Sequence, residues 1–166
     1  MRRAKNFRNE KGITLIELLA VIVILGIIAA IAVPAIGNMI ANSKKDAHIA
    51  NARAMIEAAR LHSIEDSSLR PSKGKRVFVS LGYLISQGYI DKIESPGDEP
   101  YEQSGGNPTD ADHANNRWAD GKATFVVIDN TTGTMEYYVK LLTYNDKVIL
   151  ELTEESNITR NSISIQ

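Results

Sequence analysis

A long uncharged run near the N-terminus constrains this chain more than any other feature. Glu17 is the only charged residue between Lys11 and Lys44, and the 26 residues 18–43 contain no Asp, Glu, Lys, Arg or His. About 20 apolar residues span a bilayer as a helix, whereas the apolar region of a secretory signal has about 7–15 residues. The run therefore predicts a membrane-spanning helix. A carboxylate at its start is costly to desolvate, which indicates that Glu17 has a function.

A short basic segment precedes this run. Residues 1–12 contain one acid, Glu10, and five bases: Arg2, Arg3, Lys5, Arg8 and Lys11. Positive charge before an apolar helix favours an N-terminus in the cytoplasm and an exported remainder. Without residues 1–12 the chain has 14 Lys and Arg against 19 Asp and Glu, a net charge of −5. It has no Cys, which excludes disulfides and thiolate chemistry.

Residues 11–19, KGITLIELL, resemble the class III signal of type IV pilins and the related pseudopilins. The resemblance implies that a prepilin peptidase cuts after Gly12 and methylates the new amine of Ile13, where the family most often has Phe. Glu17 then matches the fifth residue of the mature chain. In a filament its carboxylate would meet the Ile13 amine of a neighbouring subunit. The lack of Cys favours a Gram-positive or otherwise cysteine-poor host, since many Gram-negative pilins close a C-terminal loop with a disulfide.

Gly26 and Pro34 lie where this family's helix carries its helix-breaking residues. Pro34 removes a backbone donor and clashes with the preceding turn, and Gly26 weakens the helix locally. The segment between them either unwinds when the subunit enters a filament or remains a bent, continuous membrane helix. The sequence leaves both alternatives open.

The predicted organisation has three parts. A leader at residues 1–12 is cut off, residues 13–41 form a transmembrane or filament-core helix half, and residues 42–166 form the exported head. We expect one helix from about residue 14 to about residue 63. The buried stripe of its second half should contain the apolar residues at helical spacing: Ala47, Ile49, Ala50, Ala54, Ile56, Ala58, Leu61 and Ile64.

The predicted fold class is α+β, with a long N-terminal helical spine packed on a small antiparallel sheet. Ser80 and Gly88 mark the N-cap and the end of a short second helix, and residues 77–79 are a β-prone run. Three strands are expected at 122–129, 134–142 and 147–153, with Val148, Leu150 and Leu152 on one face. Residues 94–121 read as a long loop. The tail at 154–166 is either an added edge strand or disordered.

No motif for catalysis is present, so we expect no enzyme, no catalytic residue, and neither metal nor cofactor. Walker, Gly-x-Ser-x-Gly and His-Glu-x-x-His patterns are lacking. His48 and His62 are about 21 Å apart along one helix, too far to share an ion. Two weaker alternatives compete with ordinary solvated side chains. One is a Ca²⁺ site at Asp110, Asp112 and Asp120, and the other is DNA contact by a basic cluster: Arg70, Lys73, Lys75 and Arg76.

The function expected from these features is that of a structural subunit of a type IV pilus. It would be a single-pass membrane protein with a cytoplasmic N-terminus, and after cleavage an extracellular filament polymerised with itself. The resemblance implies a prepilin peptidase, an assembly platform protein and an ATPase as partners. The alternatives are a pseudopilin or competence pilin of a related filament, or a single-pass anchored binding domain that keeps residues 1–12.

Overall fold

The computed structural model describes residues 14–103, 109–110 and 122–165, the pair 109–110 by its backbone. The leader and the two residues of the expected cut, Gly12 and Ile13, lie outside the described residues. So do residues 104–108 and 111–121, which include Asp112 and Asp120, and the last residue, Gln166. The chain comprises two units, Met1–Ile40 and Ala41–Gln166.

Helix α1 (Leu15–Glu65) begins in the first unit and ends in the second. Within the first unit nearly every described side chain is exposed, although the segment is almost wholly apolar. The exposed fraction is 84% at Leu15 and 54% at Ile40. The predicted long helix is confirmed, and Pro34 lies inside it. An apolar surface on all sides of a helix needs a covering of lipid or of other helices.

The second unit contains a five-stranded antiparallel sheet in the order β2-β1-β3-β4-β5. The strands are β1 (Arg76–Ser80), β2 (Thr109–Asp110), β3 (Phe125–Asp129), β4 (Glu136–Leu142) and β5 (Val148–Glu154). Helix α2 (Leu81–Ser86) follows β1, and the Ser80 side chain caps it as predicted by accepting from the Tyr83 N–H. The α+β class is confirmed, as are the three predicted strands.

The sheet is larger than the three-stranded sheet expected from the sequence. The β-prone run at 77–79 lies in β1 and pairs with β3 along its whole length, from Arg76 with Asp129 to Ser80 with Phe125. The two residues of β2 pair with β1 on its other side. Pairing between strands more than 40 residues apart leaves no periodic signal in the sequence of either strand. The number of strands predicted from the sequence was therefore too small.

One face of the sheet and one face of α1 share a single apolar core. The sheet contributes Val126 and Ile128 of β3 with Val139 and Leu141 of β4. All of β3 is buried, because Phe125 and Val127 on its other face pack in a second cluster with Ala123 and the partly buried Phe78 and Tyr138. β3 is therefore the central strand of the domain, covered on both faces.

The buried face of α1 differs from the predicted stripe. Ile56 and Ala58 are buried as expected, but four residues placed in the stripe are exposed: Ala50, Ala54, Leu61 and Ile64. The buried residues are instead His48, Ala52, Met55, Ile56, Ala58, Ala59, His62 and Ser63. The prediction was wrong because it kept both histidines out of the core. Hydrogen bonds to tyrosines satisfy one ring nitrogen of each, which makes their burial tolerable.

The inward alternation predicted for β5 fails as well. Ile149 and Leu150 are consecutive and both buried, at 4% and 0% exposure, whereas Leu152 is 48% exposed. The β4–β5 ladder changes register on both sides of Leu141. A bulge of this kind puts two residues against one, so the alternation shifts and Leu152 turns outward.

The C-terminal tail is ordered and is not a regular edge strand. Two 3₁₀ turns, Glu155–Asn157 and Arg160–Ser162, lead to an isolated bridge between Ile163 and Leu150. Ile158 and Ile163 are each 3% exposed and belong to the core. The tail therefore completes the hydrophobic core.

Candidate functional site: the start of helix α1

Glu17 and Thr14 form a reciprocal pair of hydrogen bonds at the first turn of α1. The Thr14 backbone N–H donates to Glu17 Oε2 at 2.7 Å, and the Glu17 N–H donates to Thr14 Oγ1 at 3.3 Å. The Thr14 hydroxyl also donates to Glu17 Oε2, at 2.9 Å. This is a capping box, in which the N-cap residue and the third helical residue satisfy each other's backbone donors. Glu17 therefore helps to start the helix.

The cap leaves part of the carboxylate available. Both hydrogen bonds that Glu17 accepts go to Oε2, and no described residue donates to Oε1. A carboxylate has about four acceptor positions. Oε1 can therefore meet a cation from another molecule while Oε2 keeps the helix cap intact.

Thr14 is the site residue that the sequence analysis overlooked. The signal was present in the sequence, because Thr14 is followed three residues later by Glu17 and then by an apolar run, which is the pattern of a capping box. The contact of Glu17 with the Ile13 amine stays a prediction, because Gly12 and Ile13 lie outside the described residues.

Gly26 and Pro34 both lie within an unbroken stretch of α1. A Cβ built on Gly26 meets nothing within 4 Å, so no contact with another described residue requires glycine there. Both positions are exposed. A role for the two residues in helix opening therefore stays a prediction about the filament.

The four residues of the basic cluster lie in two different environments. Arg76 Nε donates to Asp129 Oδ2 at 2.6 Å, which ties Arg76 to the adjacent strand. Arg70, Lys73 and Lys75 are exposed on the loop before β1. Backbone bonds fix this loop to the turn after β3, from the Gly74 N–H to the Asn130 carbonyl at 2.9 Å and from the Asn130 N–H to the Lys75 carbonyl at 3.0 Å.

Of the three residues considered as an alternative calcium site, Asp112 and Asp120 lie outside the described residues, and so does the side chain of Asp110. Among the residues that are described, no group of three or more His, Asp or Glu is placed to hold a metal ion. Both histidines of α1 have packing roles. His48 is bonded to Tyr101, and His62 stacks on Tyr89 with the ring centroids 4.0 Å apart.

Comparison with known proteins identifies the segment around the capping box. Residues 7–33 match the prokaryotic N-terminal methylation motif, and α1 is long and apolar enough to cross a membrane by length and composition. The chain matches no curated protein and no solved structure. The motif belongs to structural, pilin-type proteins and not to enzymes, as expected. It implies processing by a prepilin peptidase and polymerisation in general. Residues 7–33 of the chain therefore carry the class III signal that is found in type IV pilins and prepilin-like proteins.

Proposed function

We propose that the protein is a structural subunit of a type IV pilus, cut after Gly12 and polymerised through the first half of α1. One observation supports this most strongly. A capping box that leaves Glu17 Oε1 available begins an apolar helix half that no other described residue of its unit covers. The methylation motif covers the same residues.

The exposed apolar half of α1 suits two environments in succession. In the prepilin it lies in the bilayer, and in the filament it is surrounded by the same half of other subunits. Lipid tails and packed aliphatic side chains are about equally apolar, so burial of hydrocarbon does not by itself favour one over the other. Specific contacts must then set the subunit register.

Glu17 supplies such a contact. Cleavage after Gly12 exposes a cationic amine at Ile13, and methylation leaves the charge in place. In a bundle of helices this amine pairs with Glu17 Oε1 of the neighbouring subunit. Removing one partner of a buried ion pair costs about 3–5 kcal/mol, because the other charge is stranded. A subunit in the wrong register, or one with an uncut leader, is therefore rejected.

The leader sets the orientation. Its five basic residues hold the N-terminus in the cytoplasm, where the peptidase cuts, and place residues 42–166 outside. The polymer is then extruded by an assembly platform protein and an ATPase, because the chain itself offers no nucleotide-binding motif.

The test is intact mass and N-terminal sequencing of protein sheared from the cell surface. We expect a filament whose subunits begin at a methylated Ile13. Gly12→Val should leave the leader attached and abolish filaments. Gly97→Ala, in the second unit, is the matched control, because the nearest atom to a Cβ at Gly97 is Ser95 Oγ at 3.4 Å, an ordinary contact distance. A surface protein that still begins at Met1 and remains monomeric would show instead an anchored binding domain.

A DNA-uptake filament is the second candidate, and the basic loop favours it. Arg70, Lys73 and Lys75 are exposed, and the loop that carries them is fixed by hydrogen bonds to the turn at 130–133. Three cations on a rigid loop can track a phosphate backbone, with an affinity that falls as salt rises. A triple substitution to Gln should then abolish DNA binding by isolated filaments and leave their assembly intact.

A further inference from the structure

A small cavity lies in the second unit, apart from the start of α1. It is lined by Lys44 and His48 of α1, by Ser95 and Glu99 of the following loop, and by Thr143 and Lys147 of the β4–β5 turn. Its volume is about 110 Å³. A water molecule in the liquid takes about 30 Å³. The cavity therefore holds several waters or one molecule of a few non-hydrogen atoms.

Hydrogen bonding fixes the protonation of His48. Asn51 Nδ2 donates to the Glu94 carbonyl at 3.0 Å and to the Tyr101 hydroxyl oxygen at 3.2 Å. The Tyr101 hydroxyl oxygen lies 2.6 Å from His48 Nδ1. Because this oxygen already accepts from Asn51, we assign the hydroxyl hydrogen to the contact with His48, which makes Nδ1 the acceptor. Burial, helped by the nearby Lys44 charge, lowers the pKa of His48 to about 4, so the ring is neutral at pH 7. Its single proton is therefore on Nε2, which makes Nε2 a donor.

Two buried atoms of the lining residues lack partners among the described residues. One is the donor His48 Nε2, in a side chain that is 0% exposed, and the other is the acceptor Glu99 Oε2. The opposite oxygen of Glu99 accepts from Asn145 Nδ2 at 2.8 Å. A buried donor or acceptor without a partner is destabilising. One molecule that both accepts and donates would satisfy both atoms.

The charges around the cavity restrict that molecule further. The lining includes two ammonium groups, Lys44 and Lys147, and two carboxylates, Asp98 and Glu99. A ligand with no net charge preserves this balance, whereas a lone anion or cation upsets it. The Ser95 hydroxyl oxygen accepts from the Gly97 N–H at 3.2 Å, which leaves its own hydrogen available to a ligand oxygen.

We propose that this cavity binds a small zwitterionic α-amino acid, of about the size of glycine or alanine. Its carboxylate accepts from His48 Nε2–H and lies near the Lys44 ammonium, and its ammonium group donates to Glu99 Oε2. The proposal goes beyond filament formation, because the second unit has its own core and the cavity residues all belong to it.

The test is a titration of the full-length protein in detergent micelles with free glycine, followed by ¹H–¹⁵N NMR. We expect saturable shifts confined to the cavity residues, including the His48 ring. Acetate carries only the carboxylate of the ligand and methylammonium only its amino group. Neither should give saturable shifts at the concentrations at which glycine does. Lys44→Gln should weaken glycine binding by about tenfold, because the attraction between the Lys44 ammonium and the ligand carboxylate is lost. Lys45→Gln is the matched control, since Lys45 does not line the cavity.

Several results would overturn the proposal. A flat titration would mean that water alone fills the cavity, and an equal response to acetate would mean a general anion site. Equal effects of Lys44→Gln and Lys45→Gln would mean non-specific attraction. Glu99→Gln is the second variant, in case Lys44→Gln perturbs the fold. It should also weaken glycine binding, and unchanged affinity would count against the proposal.

Discussion

Glu17 combines two roles that single substitutions can separate. Its Oε2 atom caps α1 through Thr14, and its charge is proposed to pair with the Ile13 amine of another subunit. Glu17→Gln retains an oxygen for the cap and removes the charge. We expect this variant to enter the membrane and be cut normally but to form few or no filaments. Electron microscopy of surface shearings measures the outcome, and normal filaments from Glu17→Gln would contradict the ion-pair role.

Thr14 tests the cap independently of the charge. Thr14→Val removes the hydroxyl that accepts from the Glu17 N–H. Loss of an N-cap side chain typically costs about 1 kcal/mol of helix stability. We therefore expect fraying of the first turn, seen as faster amide exchange at residues 15–18 in micelles. Thr14→Ser keeps the hydroxyl and should behave like the unchanged protein, and equal exchange in both variants would refute the capping role.

His48 should make the second unit sensitive to mild acid. Its pKa is lowered to about 4 in the folded protein, chiefly by burial, from the ordinary value of 6.5. Between these two values the unfolded chain binds the extra proton, so stability falls as the pH drops from about 6.5 to 4. We expect a loss of roughly 3 kcal/mol across this window, since one pKa unit corresponds to about 1.4 kcal/mol. Urea unfolding at several pH values measures it, and His48→Gln, as the control, should lose most of this dependence.

Among the elements, β5 shows how a bulge changes which residues carry stability. Leu150 is 0% exposed and Leu152 is 48% exposed, although simple alternation would place them on the same face. Leu150→Ala should cost about 2–5 kcal/mol. Leu152→Ala, the matched control, should cost well under half as much, because the Leu152 side chain buries much less apolar area in the folded protein. Comparable losses in denaturant unfolding would mean that the bulge is absent in solution.

The tail is a second element whose role comes from tertiary contacts. Arg160 Nε and Nη2 donate to the two carboxylate oxygens of Asp46, each at 2.6 Å, and this bond holds the pKa of Asp46 below its usual range. The pair connects the tail to α1. A carboxyl group whose pKa is lowered by folding stabilises the fold fully at a pH above its pKa in the unfolded chain. It loses this contribution as the pH falls through its pKa in the folded protein. Acid should therefore loosen the tail.

The whole molecule divides into two units with opposite solvent requirements. Residues 14–40 carry an exposed apolar surface, whereas the second unit contains the shared core of α1 and the sheet. We expect a chain shortened to residues 41–166 to be soluble and folded without detergent, and unable to polymerise. Gel filtration and circular dichroism measure this. Aggregation of the shortened chain would mean that the second unit depends on the first for its stability.

The features that the sequence determined by itself are those encoded by neighbouring residues. An unbroken apolar run, the KGITLIELL segment and the Ser80 cap each act within a few residues, so the long helix, the pilin-like signal and helix α2 were predictable. The capping box at Thr14 belongs to this group too, although it was overlooked.

The tertiary structure decided what depends on partners far apart along the chain. His48 is buried because Tyr101, 53 residues away, satisfies one ring nitrogen, and this contact turns a different face of α1 to the core than its apolar pattern predicts. The pairing of β1 with β3, the bulge in β5 and the docking of the tail have the same character. In each case the free energy of burying a residue depends on the group that it contacts. That group is distant in the sequence, so no local sequence pattern predicts the contact.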